Sequence, residues 1–251
     1  MSAYTALTAA GYRAQVRDRT TVFFTFAFPL IFLVVFGLIF RGRDVEESGF
    51  SYLSYTASGV LSWGVANAAV FGIGFTLMQW RADDILRMIR MSPAPLSAVI
   101  GSRYVLAVGV GLVQSALFVG VAMLPGFDLV PASRWPLLIP VLVLGVTTFL
   151  LLGVIVGSIG NTPESVAAIA NFLMLPMAFL SGSFFPLDAM PDWLQKISLV
   201  LPLRYLNDAV AAALTGRGDL GDIGAGCAGL VVFAVVFGVL AARLFRWTKS
   251  S

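Results

Sequence analysis

The chain has 251 residues, 59% of them hydrophobic and 12% charged, with one cysteine, no histidine and a net charge of +3. A soluble domain carries about 25% charged residues, and an interior of this size cannot hide so much apolar surface, so the composition requires a bilayer as solvent. The lack of histidine excludes His-based triads, His metal sites and the usual proton shuttles, and the lone Cys227 excludes an internal disulfide framework.

Residues 4–19 come first. Tyr4, Leu7, Tyr12 and Val16 interleave with Thr, Gln and Arg, which reads as a helix in the membrane interface with Arg13 and Arg17 on one side, or else as a frayed basic tail. Met1–Arg19 has no apolar h-region, so it reads as a retained segment ahead of an anchor rather than a cleaved leader. A crossing helix needs about 20 apolar residues, and the chain supplies six such stretches at 21–40, 52–79, 97–124, 136–160, 163–182 and 222–243. The fold class is therefore all-α integral membrane.

Local signals mark these spans. Pro29 and Pro176 fall inside the first and fifth, where a kink is expected. Pro125-Gly126 breaks the chain after the third span. Gly153-x-x-x-Gly157 gives the fourth a small face that either mediates close helix contact or is chance in a Gly-rich chain. Thr162-Pro163-Glu164 reads as an N-cap, a first-position Pro and a first-turn acid.

Two further segments are more than linkers. Residues 81–91 form a short amphipathic helix in which Asp83 and Arg87 are spaced i, i+4, with Ile85, Leu86, Met88 and Ile89 as an apolar face and Ser92-Pro93-Ala94-Pro95 as a stop. It either packs in the interface or docks in a groove on a partner. Residues 183–214 are too apolar for an ordinary loop. Pro191-Asp192-Trp193 starts one amphipathic piece that Pro202 ends, and Arg204–Leu214 forms a second. Four charged residues, Asp192, Lys196, Arg204 and Asp208, argue for a re-entrant segment rather than a seventh span.

With the N-terminus in the cytoplasm, ten of the sixteen Lys and Arg residues lie inside and nine of the thirteen acids outside, which places both termini in the cytoplasm. The charges sit in short clusters between apolar runs and read as topology, not as a nucleic-acid footprint. No charge lies mid-span, which argues against proton-coupled transport. The lysines, Lys196 and Lys249, follow no glycine, so the chain holds no phosphate-binding loop. Active work would need nucleotide chemistry on another chain.

The stretch Gly182-Ser-Phe-Phe-Pro-Leu-Asp-Ala-Met-Pro-Asp-Trp-Leu, followed by Leu201-Pro-Leu-Arg-Tyr-Leu-Asn-Asp-Ala209, resembles the signature of the ABC type-2 transporter permeases. The daunorubicin-resistance and nodulation-factor export permeases are the most similar subgroup. Leu86 through Ser92-Pro93 resembles that family's coupling segment, although Asp83-Asp84 stands where the family often has glycine.

The resemblance implies a half-transporter. Two permease chains, read here as identical copies, would pair with two copies of a separate ATP-binding subunit that carries Mg-ATP, and this chain would hold no cofactor or metal. It implies a connecting helix at 4–19, a coupling helix at 81–91 with Arg81, Asp83, Asp84, Leu86, Arg87, Ile89 and Arg90 toward the ATPase, and an outer re-entrant motif at Phe185, Pro186, Pro191, Trp193, Pro202 and Tyr205. It implies export of drugs, antibiotics, lipids or glycans, with multidrug resistance as one outcome, from a bacterial inner membrane.

Candidate pathway residues follow from the spans. Phe24, Phe28, Phe32, Phe36 and Phe40 recur every four residues. Asn67, Phe71 and Phe75 share a face of the second span, and Asn171 and Met174 a face of the fifth. They either line an apolar pathway or pack against lipid and neighbouring helices. A passive channel, or a structural or sensing membrane protein with no ATPase, is the competing reading.

Overall fold

The computed structural model describes residues 3–39, 52–91, 96–125, 127 and 129–245. Phe40, Arg41, Arg43, the stop at 92–95, Gly126, Arg246, Lys249 and the side chain of Arg90 lie outside the described residues. Among the described residues all regular structure is helical and there is no strand. Six stretches of the described residues are long and apolar enough to cross a membrane: 19–39, 55–82, 99–122, 135–159, 163–180 and 220–244.

Helix α1 (Ala3–Arg17) lies along α6 (Leu96–Ala122). The fit is close because Gly11 has no side chain: a Cβ there would stand 2.6 Å from Leu106 Cδ1. Tyr12, Arg13, Val16 and Arg17 are left exposed. Asp18 then caps the first span, accepting from the Thr21 N–H at 3.1 Å.

That span is α2 (Arg19–Val22), a π-helical turn (Phe23–Ala27) and α3 (Phe28–Ile39). Pro29 has no N–H for the Thr25 carbonyl, and its ring would crowd that oxygen. The disturbance expected at Pro29 takes the form of the wider turn just before it, in which the Phe28 N–H reaches the Phe23 carbonyl.

Helix α4 (Tyr52–Ala82) is about 46 Å long at 1.5 Å per residue. It and α7 (Leu138–Ile159) form the centre. In their most apolar stretches 61% and 56% of residues are buried, against 17% in both the first and last spans. The Gly153-x-x-x-Gly157 face of α7 makes this contact: a Cβ on Gly153 would lie 2.6 Å from the Val70 carbonyl oxygen, and one on Gly157 2.7 Å from that of Gly74.

Helix α8 (Pro163–Leu180) begins with Thr162 and Ser165 in a reciprocal capping box and continues through Pro176. Then come α9 (Asp192–Ser198), α10 (Pro202–Leu214) and α11 (Leu220–Leu244). The pair α9 and α10 bends by 90°.

Two local expectations change. Pro202 opens α10 as well as closing the segment before it, because the first turn of a helix has N–H groups to spare. Helix α10, expected as an amphipathic piece, is buried along most of its length. It packs against α4, α7 and α11, and Leu203, Leu206 and every residue from Ala209 to Leu214 are buried. Its run of alanines lets three neighbours approach at once.

Candidate functional site: the two ends of the bundle

At one end α4 stops at Ala82 and α5 (Ile85–Met91) begins after a two-residue break, with Asp84 at φ 55°. Asp83 and Arg87 therefore do not share a helix, and the expected i, i+4 pairing on one helix is replaced by a bend. The bend divides the expected coupling residues. Leu86 is buried and anchors α5, Ile89 is half-buried, and Asp83, Asp84 and Arg87 are exposed together with Met88 and Met91. Of the residues expected to face a partner, Asp83, Asp84 and Arg87 are exposed and Leu86 is not, while Met88 and Met91, which that set did not include, are exposed as well.

Arg81 does something different. It is 4% exposed and belongs to α4, and its guanidinium reaches the C-terminus of α7. One terminal nitrogen donates to the Ser158 carbonyl at 2.7 Å, and the other to the carbonyls of Gly157 and Gly160. The last carbonyls of a helix lack intrahelical donors and carry the negative end of the dipole, so a cation with a rigid fork of donors suits them. Close by, the Arg103 guanidinium stacks over the Trp80 ring at 4.5 Å. On the same segment as α1, hydrogen bonds from the Thr21 hydroxyl and then the Thr21 backbone hold the Asp18 carboxyl below its ordinary pKa.

At the other end the motif 182–209 folds back into the bundle. Tyr55 near the start of α4 points its hydroxyl at two backbone carbonyls, those of Gly182 and Phe185. Gly182 takes φ +76°, and a Cβ there would stand 2.8 Å from the Tyr55 oxygen, so the position requires glycine. Asn207 of α10 donates to the Ser181 carbonyl at 2.8 Å and the Ser183 hydroxyl at 2.9 Å. Phe184 is the buried aromatic hub, with ring centroids 5.8 Å from Phe32, 5.4 Å from Trp63 and 5.3 Å from Phe179.

The motif residues named from sequence separate by role. Pro202 is buried, Phe185, Pro191 and Trp193 are exposed, and Pro186 is half-buried. Tyr205 donates to the Leu199 carbonyl at 2.8 Å, which closes the turn between α9 and α10. Tyr55 looks like any other residue of its span, and Phe184 and Asn207 stand in the quoted signature without a role of their own, because the groups they meet lie on other segments.

The pathway candidates lie on the first span, α4 and α8 but do not all face the same way. Phe24 and Phe28 are exposed. Phe28 and Phe32 flank Trp63 at 6.0 and 5.5 Å. Phe71 and Phe75 are half-buried and 5.8 Å apart. Asn67 is half-buried with its amide on the Trp63 carbonyl at 3.1 Å. On α8 Asn171 faces outward, whereas Met174 is buried in the core.

Residues 2–215, which hold every helix described here except the last, match the family ABC-2 type transporter. This chain belongs to that family. As an ABC-2 permease it is a multi-pass membrane transport protein, and both the bend between α4 and α5 and the motif at 182–209 fall within the matched region. It is 24% identical over 210 residues to Inner membrane transport permease YadH of Escherichia coli (strain K12), covering 82% of this chain and 80% of that protein. It is 26% identical over 229 residues to Nodulation protein J of Rhizobium leguminosarum bv. viciae, covering 87% and 85%. Against Nodulation protein J of Rhizobium meliloti (strain 1021) the figures are 26% over 223 residues, 87% and 82%.

Proposed function

We propose that this ABC-2 permease is the membrane half of an ATP-driven exporter, working as a pair of identical chains with two copies of a separate ATP-binding subunit in a bacterial inner membrane. The observation that carries the reading is α5. A seven-residue helix is anchored by Leu86 and offers Arg87, Met88 and Met91 at the end of α4, on a chain without a nucleotide-binding loop. Family membership supports an ATP-binding partner, and Mg-ATP belongs to that partner. The charge bias supports a cytoplasmic side for α5 and both termini.

The second chain covers the sparsely buried face of α3, α4 and α8, and substrate passes along that seam. Phe24, Phe28, Phe32, Asn67, Phe71, Phe75 and Asn171 would line it, with Met174 behind. The aromatic, charge-free lining suits an amphipathic or apolar substrate such as a drug, antibiotic, lipid or glycolipid.

Affinity purification of the tagged chain from its native membrane in mild detergent tests the core of this. The expected result is a stoichiometric partner carrying Gly-x-x-x-x-Gly-Lys-Ser/Thr. A chain that comes out alone, under conditions that keep other such complexes intact, favours a passive or structural membrane protein.

A further inference from the structure

The buried cation at the base of α5 has a use that the reading above does not include. Arg81 stands on the last turn of α4, four residues before the first residue of α5. Its three carbonyl partners, on Gly157, Ser158 and Gly160, belong to the end of α7 and the turn that follows. That turn is short and stiff. Gly160 is extended, Thr162 already caps α8, and a Cβ on Gly160 would meet Val166 Cγ2 at 2.5 Å. Three charge-assisted bonds thus join the end of α4 to the one place where α7 hands over to α8.

We propose that Arg81 is a positioning residue that yokes the base of α5 to the α7–α8 turn, so that displacement of α5 reaches α8 directly. This rests on the reading of α5 as the element an ATPase moves. Without the yoke, movement that α5 passes into the end of α4 has no bonded route to the α7–α8 turn. With it, α4 and the 157–162 turn move as one body, and α8, which carries Asn171 and Phe179, follows. An exposed arginine on α5 would contact the partner. Arg81 instead works inside the bundle, because a guanidinium facing three carbonyls in a low-dielectric surround is costly to release.

The test is hydrogen exchange on the full permease with its co-purified ATP-binding subunit, with and without Mg-ATP plus vanadate. In the wild type, the nucleotide should alter exchange both in 85–91 and in 157–166. In Arg81→Met the response at 85–91 should persist while that at 157–166 falls about fivefold or more. Arg81→Lys, which keeps a cation but not the planar fork, should fall between them, and it decides the matter if the Met variant does not assemble. A merely structural arginine would raise basal exchange at 157–162 without removing the nucleotide-dependent difference. A wild-type-sized response at 157–166 in Arg81→Met, or in Arg81→Lys where only that variant assembles, overturns the yoke. A wild type without any response at 85–91 overturns the exporter reading itself, which is a distinct result.

Discussion

Gly157 of α7 lies so close to Gly74 of α4 that a Cβ on Gly157 would sit 2.7 Å from the Gly74 carbonyl oxygen and 3.0 Å from its Cα. No rotamer change relieves a clash with backbone. Gly157→Leu should therefore destabilise the bundle by about 1–3 kcal/mol through overpacking. Gly109→Leu on α6, where a Cβ meets nothing within 4 Å, should leave stability nearly unchanged. Thermal unfolding of the two variants in the same detergent checks the contrast.

Tyr55→Phe removes the hydroxyl from the Gly182 and Phe185 carbonyls but keeps the ring under the Arg217 guanidinium, 4.4 Å away. The loss should be about 1 kcal/mol and local. Hydrogen exchange should speed up at 181–186 while the middle of α4 stays protected. Uniform loss of protection along α4 would show that the hydroxyl holds the helix and not the re-entrant turn.

On α5 the buried and exposed faces should respond differently. Leu86→Ala should lower stability by about 2–4 kcal/mol, because Leu86 is 2% exposed. Met88→Glu, at 56% exposed, should leave unfolding unchanged and reduce the amount of ATP-binding subunit that co-purifies. Full retention of the partner by Met88→Glu would move the docking face off α5.

For the seam between α3, α4 and α8, Phe28→Ala combined with Asn67→Ala should change which compounds stimulate ATP hydrolysis by the reconstituted complex. An unaltered profile would leave the two side chains as packing groups around Trp63.

The Asp18 cap sets a pH dependence. Its pKa is lowered in the folded chain by the Thr21 hydroxyl and N–H, so its contribution is complete above the ordinary carboxylate value and is lost as pH falls through the lowered one. The Thr21 amide resonance should titrate in that acidic window, and Asp18→Ala should abolish the titration.

How much was legible in the sequence follows the range of the forces involved. Hydrophobic run length set the six spans, because a backbone in lipid must satisfy itself within each segment. Capping chemistry set the start of α8 at Thr162, and Pro29 announced a disturbed first span. These effects act within a few residues, so one stretch of chain carries them.

Tertiary structure alone decided three things. It used Gly153 and Gly157 as a helix seat, which depends on Val70 and Gly74 standing opposite. It buried α10, whose composition suits either a surface or a crowded interior. It turned Arg81 inward to the end of α7, although a lone arginine beside two acids at a helix end reads as a solvated contact residue. In each case the deciding partner lies dozens of residues away, and a single sequence records the side chain but not what it faces.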